Sequence, residues 1–194
     1  MEFELINSKR RTVTLEISYD GRLIVRGPMS YTREEAAKFV EKNRKWIEKR
    51  LPSVLSRYGQ TAFIDSHSTK EARTLAREIC TYLVNEYASI MGVTPSDIKI
   101  TSAKKRFGSC SGNNGLCFSY YLVLYPFDAI KYVVVHELAH ILHHDHSKAF
   151  HNRVRQFLPD ADSAERLLSP ENASLENLQK NMQIILSLKG ENKK

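Results

Sequence analysis

The stretch VVVHELAHILHHDHS, residues 133–147, constrains this chain more than any other part of it. His136-Glu137-Leu138-Ala139-His140 is an HExxH pentapeptide. In an α-helix, residues four apart lie about one turn up and about 40° round, so both imidazoles can reach one ion. Zinc takes nitrogen donors at about 2.0–2.1 Å, and a catalytic zinc keeps one position for water. Glu137 stands next to the first ligand, so its carboxylate can reach that water and take its proton as general base. Val133, Val134, Val135, Leu138, Ile141 and Leu142 predict a largely buried helix. Two histidines and a glutamate inside such a helix need partners, which a metal supplies.

The third ligand is a question of chain direction. If the helix continued, the Cα of His143 would lie about 10.5 Å along the axis from that of His136, with His140 already between them. A reversal near His143 or His144 would instead return His146 to the ion. The resulting spacing is that of the metzincin pattern HExxHxxGxxH, with His143 where that pattern has glycine. His143, His144 or Asp145 could make the turn at positive φ, which His and Asp tolerate better than most residues. His146 is the expected third ligand; His143, His144, Asp145 or a distant acid are the alternatives.

Around this centre the chain reads as α+β, with a small antiparallel or mixed sheet packed on helices. TVTLEIS (12–18) alternates, and Asp20-Gly21 signals a hairpin turn into LIVR. Thr32 and Glu35 form a capping box, and a helix follows with Phe39, Val40, Asn43, Trp46, Ile47 and Leu51 on one face, Trp46 in the core. Pro52 and Gly59 predict a loop over 52–67. Ser68 and Glu71 suggest a second capping box before a helix that ends near Gly92. Ile98 and Ile100 belong to a short strand, and LCFSYYLVL (116–124) reads as another. Phe150, Val154, Phe157 and Leu158 stripe a helix that starts after Asp145. Leu175, Leu178, Met182, Ile185 and Leu186 stripe a last one over 174–188, expected to cover the core, and the tail KGENKK is expected to be disordered.

With 194 residues, 42% of them hydrophobic and 26% charged, the chain suits one globular domain with small appendages. No apolar run approaches the roughly 18 residues of a membrane span, and the opening MEFELINSKRR has no apolar core of a secretory leader. Three cysteines without a CxxC pair read as reduced thiols of a cytoplasmic protein. The net charge of +7 suits either an anionic partner, nucleic acid or nucleotide, or a basic surface with no partner; the second is favoured, because no nucleic-acid motif accompanies the charge.

Several blocks carry a family resemblance. SKRRTVTLEISYDGRLIVRGP (8–28), FVEKNRKWIEKRL (39–51), KKRFGSCS (104–111), YVVVHELAHILHHDHSKAF (132–150) and FLPD (157–160) resemble, in this order, the YgjP-like family of zinc metallopeptidases, which is similar to the SprT-like proteins. The resemblance implies one zinc ion on His136, His140 and His146, with Glu137 as general base. His146-Ser147 and Phe150 match the family block after the pentapeptide. The chain departs from the family at His151, where Trp is usual, at Phe107 in RFGSCS, and at Ser119-Tyr120-Tyr121 in place of Asn-Trp-Arg.

The expectation is therefore a zincin-like core built on the HExxH helix. Residues 1–51 would form a hairpin and helix, 52–67 a loop, 68–165 the catalytic core, and 166–194 an amphipathic helix and tail, together one compact unit. The expected activity is peptide hydrolysis on a polypeptide substrate. Arg106 or Tyr120, with Tyr121 beside it, would stabilise the oxyanion, and strand 116–124 would be the edge that pairs with substrate. Two other readings compete. One is a metal-dependent nucleotide or phosphoanhydride hydrolase, which lacks a phosphate-binding loop here. The other is a non-catalytic zinc module for nucleic acid, which would have no need of Glu137.

Overall fold

A computed structural model describes residues 1–18 and 20–191, the side chains at 63, 66, 67 and 191 excepted. The fold is α+β, with two small mixed sheets and seven α-helices among the described residues. The chain divides into two compact units, Met1–Gly59 and Gln60–Lys194.

In the first unit, β2 (Thr14–Ile17) pairs antiparallel with β3 (Leu23–Pro28), as the hairpin signal predicts. Gly21 takes φ +86° in the turn, where Ser18 N–H donates to the Arg22 carbonyl at 2.9 Å. A third strand, β1 (Glu4–Ser8), lies parallel on the other side of β3, giving the order β1-β3-β2. α1 (Arg33–Lys42) opens with the predicted capping box of Thr32 and Glu35. α2 (Arg44–Phe63) follows after Asn43 with little loss of helical phase, because Asn43 N–H still bonds the Phe39 carbonyl and Ile47 N–H the Asn43 carbonyl. The buried line is Ala36, Val40 and Ile47, with Leu51 partly buried behind it. Trp46 sits about 100° round the helix from Ile47 and is 46% exposed, which corrects its expected place in the core.

The loop expected over 52–67 is also corrected. Residues to 63 are α2, and Ile64–Ser68 forms one π-helical turn. Pro52 removes one backbone donor in α2 without ending it, and the boundary between the units falls in the same helix, at Gly59. The side chain of His67 lies outside the described residues.

The second unit centres on α3 (Thr69–Met91), which buries Leu75, Ile79, Cys80 and Leu83 and stops at Gly92 in the left-handed region. Ser68 makes no side-chain cap here. The preceding turn already leads into the helix, and Thr69 Oγ1 bonds the Ile64 and Asp65 carbonyls instead. β4 (Asp97–Thr101) pairs parallel with β6 (Gly115–Ser119), and β5 (Gly108–Cys110) pairs antiparallel on the other side of it. Two expectations fail together here. The strand ends at Ser119, whose Oγ accepts from Tyr121 N–H, and Tyr120–Leu124 forms a fully buried 3-10 turn. Because the sheet order is β4-β6-β5, β6 is central and β5 is an edge. A continuous apolar run does not by itself separate a buried strand from a buried helical turn.

α4 (Phe127–Ala139) carries the pentapeptide, α5 (Lys148–Phe157) and α6 (Ala161–Arg166) pack against it, and α7 (Leu175–Glu191) packs on α3 and the 3-10 turn. The inward face of α7 is Leu178, Asn181 and Ile185, whereas Met182 and Leu186 are exposed. Asn181 is fully buried because its amide donates to the Val123 and Tyr125 carbonyls at 3.0 and 2.9 Å. α7 continues through Lys189-Gly190-Glu191, where a disordered tail was expected; residues 192–194 lie outside the described residues. The three cysteines form no disulfide.

Candidate metal centre

α4 is held by its valines: Val134, Val135 and Leu138 have no exposed surface and Val133 almost none. Leu142, expected on the buried side, is 54% exposed, because α4 ends earlier than the predicted His143 or His144. His140 is already its C-cap, and the last carbonyls are satisfied by a tightened turn. Ile141 N–H bonds Leu138 O, and both Leu142 and His143 N–H bond Ala139 O, at 3.0–3.2 Å. The reversal uses no positive φ at His143, His144 or Asp145; Asn114 is the one described non-glycine residue with positive φ. Side chains complete the reversal: Asp145 Oδ1 accepts from Ser147 N–H at 3.2 Å, and Ser147 Oγ caps α5 through Phe150 N–H at 3.4 Å.

The reversal brings His146 back to the helix. The donor atoms of His136, His140 and His146 all lie within 4.8 Å of one another, and the two Nε2 atoms of His136 and His146 are 3.2 Å apart. Tetrahedral ligands at about 2.0–2.1 Å from zinc stand about 3.3 Å from each other, so this spacing fits one ion. His140 Nδ1 meets the His143 carbonyl at 2.8 Å, which makes it the donor and leaves Nε2 with its lone pair. Burial and the neighbouring histidines push His136 down to about 4, so its ring is neutral and able to ligate at neutral pH. His140 is lowered too, mainly by burial. Phe150, fully buried on α5, packs its ring 4.8, 4.5 and 4.9 Å from those of His136, His140 and His146 and so fixes all three.

Glu137 is 6% exposed. Burial pushes its carboxyl up to about 7, against the charge of Arg106 and a hydrogen bond from the Cys110 backbone, which lower it. Along β5, Phe107 O and Ser111 N–H turn toward β6, so the amides of Gly108 and Cys110 turn the other way, and that of Cys110 bonds Glu137. A cleft of about 350 Å³ lies here, with Glu137 and the three histidines on one side and Arg106 with Gly108–Cys110 on the other. A larger cavity of about 560 Å³ in the first unit is lined by Phe3, Leu23, Ile47 and Leu51 with Glu2, Glu4 and Arg22, and no histidine reaches it.

Of the expected site residues, His136, Glu137, His140, His146 and Arg106 meet in one cleft, and exposed His144 lines it as well. Tyr120 does not line it. Its hydroxyl donates to Asp65 at 2.7 Å and lies 3.1 Å from that of Tyr121, which also donates to Asp65. Gly108, Ser109, Cys110 and Phe150 are the lining and packing residues that motif reading left without a role.

The family comparison agrees with this geometry in kind. The YgjP-like, metallopeptidase domain family model matches residues 58–171, which is 114 of the 194 residues. No curated protein matches the chain. One solved structure similar to it is the crystal structure of the metallopeptidase zymogen of Pyrococcus abyssi abylysin, at 20% identity and a TM-score of 0.41, over 45% of this chain and 89% of that one. By the family match, which spans more than half of its length and all of α3 through α6, the chain belongs to the YgjP-like metallopeptidases.

Proposed function

We propose that the chain is a zinc metallopeptidase with a zincin-like core, in which His136, His140 and His146 hold the ion and Glu137 is the general base. The supporting observation is the convergence of three imidazoles beside one buried carboxylate. It is the sole group of three or more metal-ligating side chains among the described residues, which disfavours a cluster of carboxylates for magnesium.

Zinc at this position would act as a Lewis acid and lower the pKa of water toward neutrality. The chain's own residues do the rest. Glu137, held by the Cys110 N–H, accepts a proton from the attacking water and delivers it to the leaving amine. Arg106, exposed at the rim, faces the charge that develops on the substrate carbonyl. An extended polypeptide would lie along the outer edge of β5, where Gly108 N–H and O and the Cys110 carbonyl point away from β6.

The test is elemental analysis together with turnover of casein. Wild type should carry one zinc, and His146→Ala should lose most of it. Glu137→Gln should keep zinc and lose about 10²–10⁴-fold in rate. Equal zinc in wild type and His146→Ala would reject the ligand set; unchanged cleavage by Glu137→Gln would reject the base. Nucleoside triphosphates assayed in parallel separate peptide from phosphoanhydride hydrolysis.

A further inference from the structure

The chain has one tryptophan, and it is 46% exposed on the first unit, outside the matched metallopeptidase domain. Its neighbours are ordered. Lys38, Lys42, Lys45 and Lys49 recur at intervals of four, three and four residues along α1 and α2, and all four are exposed. At about 100° per residue they fall within about 60° of one another, opposite the buried line of Ala36, Val40 and Ile47, with Trp46 flanking the stripe. The stripe is about 16 Å long.

Among the described residues, no ion pair involves these lysines. Three of the nearby acids have other partners: Arg44 holds Glu41 at 2.6 Å and approaches Glu48 at 3.8 Å, and Glu35 accepts from Thr32; Glu34, one turn before Lys38, is exposed. Lys38 acts on Glu35 only through its charge. Residues 1–59 hold 13 of the chain's lysines and arginines against 8 acids, which places most of the net charge of +7 in this unit.

We propose that this face binds single-stranded nucleic acid, with the lysines tracking phosphates and Trp46 stacking on a base. A flat exposed ring beside a row of cations is what an unpaired strand offers partners for, since its bases present free faces and its backbone repeats negative charge. A closed duplex has no free base face for the ring. An anionic membrane would need an apolar helix face to insert, and that face is occupied by the core of the unit. The inference does not depend on the metal centre or on the proposed peptidase activity.

The test uses the full chain and a labelled 20-nucleotide oligo-dT or oligo-rU, read by polarisation and by the emission of Trp46. The two oligonucleotides distinguish DNA from RNA. Binding should quench the tryptophan. With four lysines engaged, log K should fall with log salt at a slope of about −3, and at about −1 in the triple variant K42Q/K45Q/K49Q. Trp46→Ala should weaken binding about tenfold and Trp46→Phe much less. All these positions are exposed, so circular dichroism should confirm that each variant is folded. No binding at 50 mM salt overturns the proposal. So does equal affinity for duplex DNA or heparin without quenching, which is general attraction to polyanions, and so does quenching by anionic vesicles but not by oligonucleotide.

Discussion

A methyl group on Gly108 would stand 2.6 Å from Glu137 Oε1 and 2.7 Å from its Cγ, so β5 can pass over the carboxylate only where the residue has no side chain. The same strand gives Glu137 the Cys110 N–H. Gly108→Ala is therefore expected to displace the carboxylate while leaving the histidines, which belong to α4 and the following turn, in place. Misplacement of a catalytic group by about 1 Å costs on the order of 10²-fold in rate. The expected result is a loss of that size in kcat on casein with zinc content unchanged; an active Gly108→Ala enzyme would mean that Glu137 does not need its present position. At this scale much of the site was legible. Helical spacing assigns His136, Glu137 and His140 from five letters, because one periodicity relates them. His146 depends on a reversal, which does bring it beside His136 and His140 but not by the expected means: no left-handed residue is used, and Asp145 and Ser147 make the turn with side chains. The contact of Gly108 with Glu137 joins segments about thirty residues apart, and no local pattern records it.

Elements were legible where one face is buried and the other is wet. β2, β3, α1, α3 and α5 follow their alternation, caps or stripes. They were less legible where burial is complete on every side. Tyr120–Leu124 reads as strand because all five residues are apolar or aromatic, yet it turns, and in turning it sends two phenols to Asp65 on the π-helical segment. Lys104 Nζ reaches the same carboxylate at 2.7 Å, so one acid ties this segment to the 3-10 turn and to the approach to Arg106. Burial acts to raise the Asp65 carboxyl, but Lys104, Tyr121 and Tyr120 together outweigh it and hold it below its ordinary value. A carboxyl lowered in the folded state binds fewer protons there than when unfolded, so its stabilisation is full above the unfolded value of about 4 and is lost as pH falls through the folded one. Asp65→Asn should thus melt below wild type at pH 7, and the gap between the two curves should close as pH is lowered below about 4. Thermal unfolding followed from pH 7 to pH 2.5 decides the matter; a gap that stays constant would show that the carboxylate's charge contributes nothing.

Across the whole molecule, the two cores are separate sets of residues, Leu23, Val25, Val40 and Ile47 in the first unit and the larger cluster around α3 and α4 in the second. Length and composition suggested one compact unit, and the boundary at Gly59 falls within the stretch read as a loop, which is helix α2 to Phe63. The apolar anchorage of α4 comes from residues other than its histidines: Val134, Val135 and Leu138 are fully buried. Stripping metal with a chelator should therefore leave far-ultraviolet circular dichroism nearly unchanged, unlike a small zinc domain that unfolds without its ion. Stability should still respond, since an ion that binds only the folded state stabilises it by about 2.7 kcal/mol when free zinc is a hundred times its Kd. For a chain of this size that is roughly 5–10 °C in the transition that includes the second unit, where all three histidines lie. Calorimetry of the stripped protein with and without zinc should show this shift in wild type and in Glu137→Gln, and should show little in His136→Ala or His140→Ala. A wild type whose melting ignores zinc, or a His140→Ala variant that responds as fully as wild type, would place the ion elsewhere.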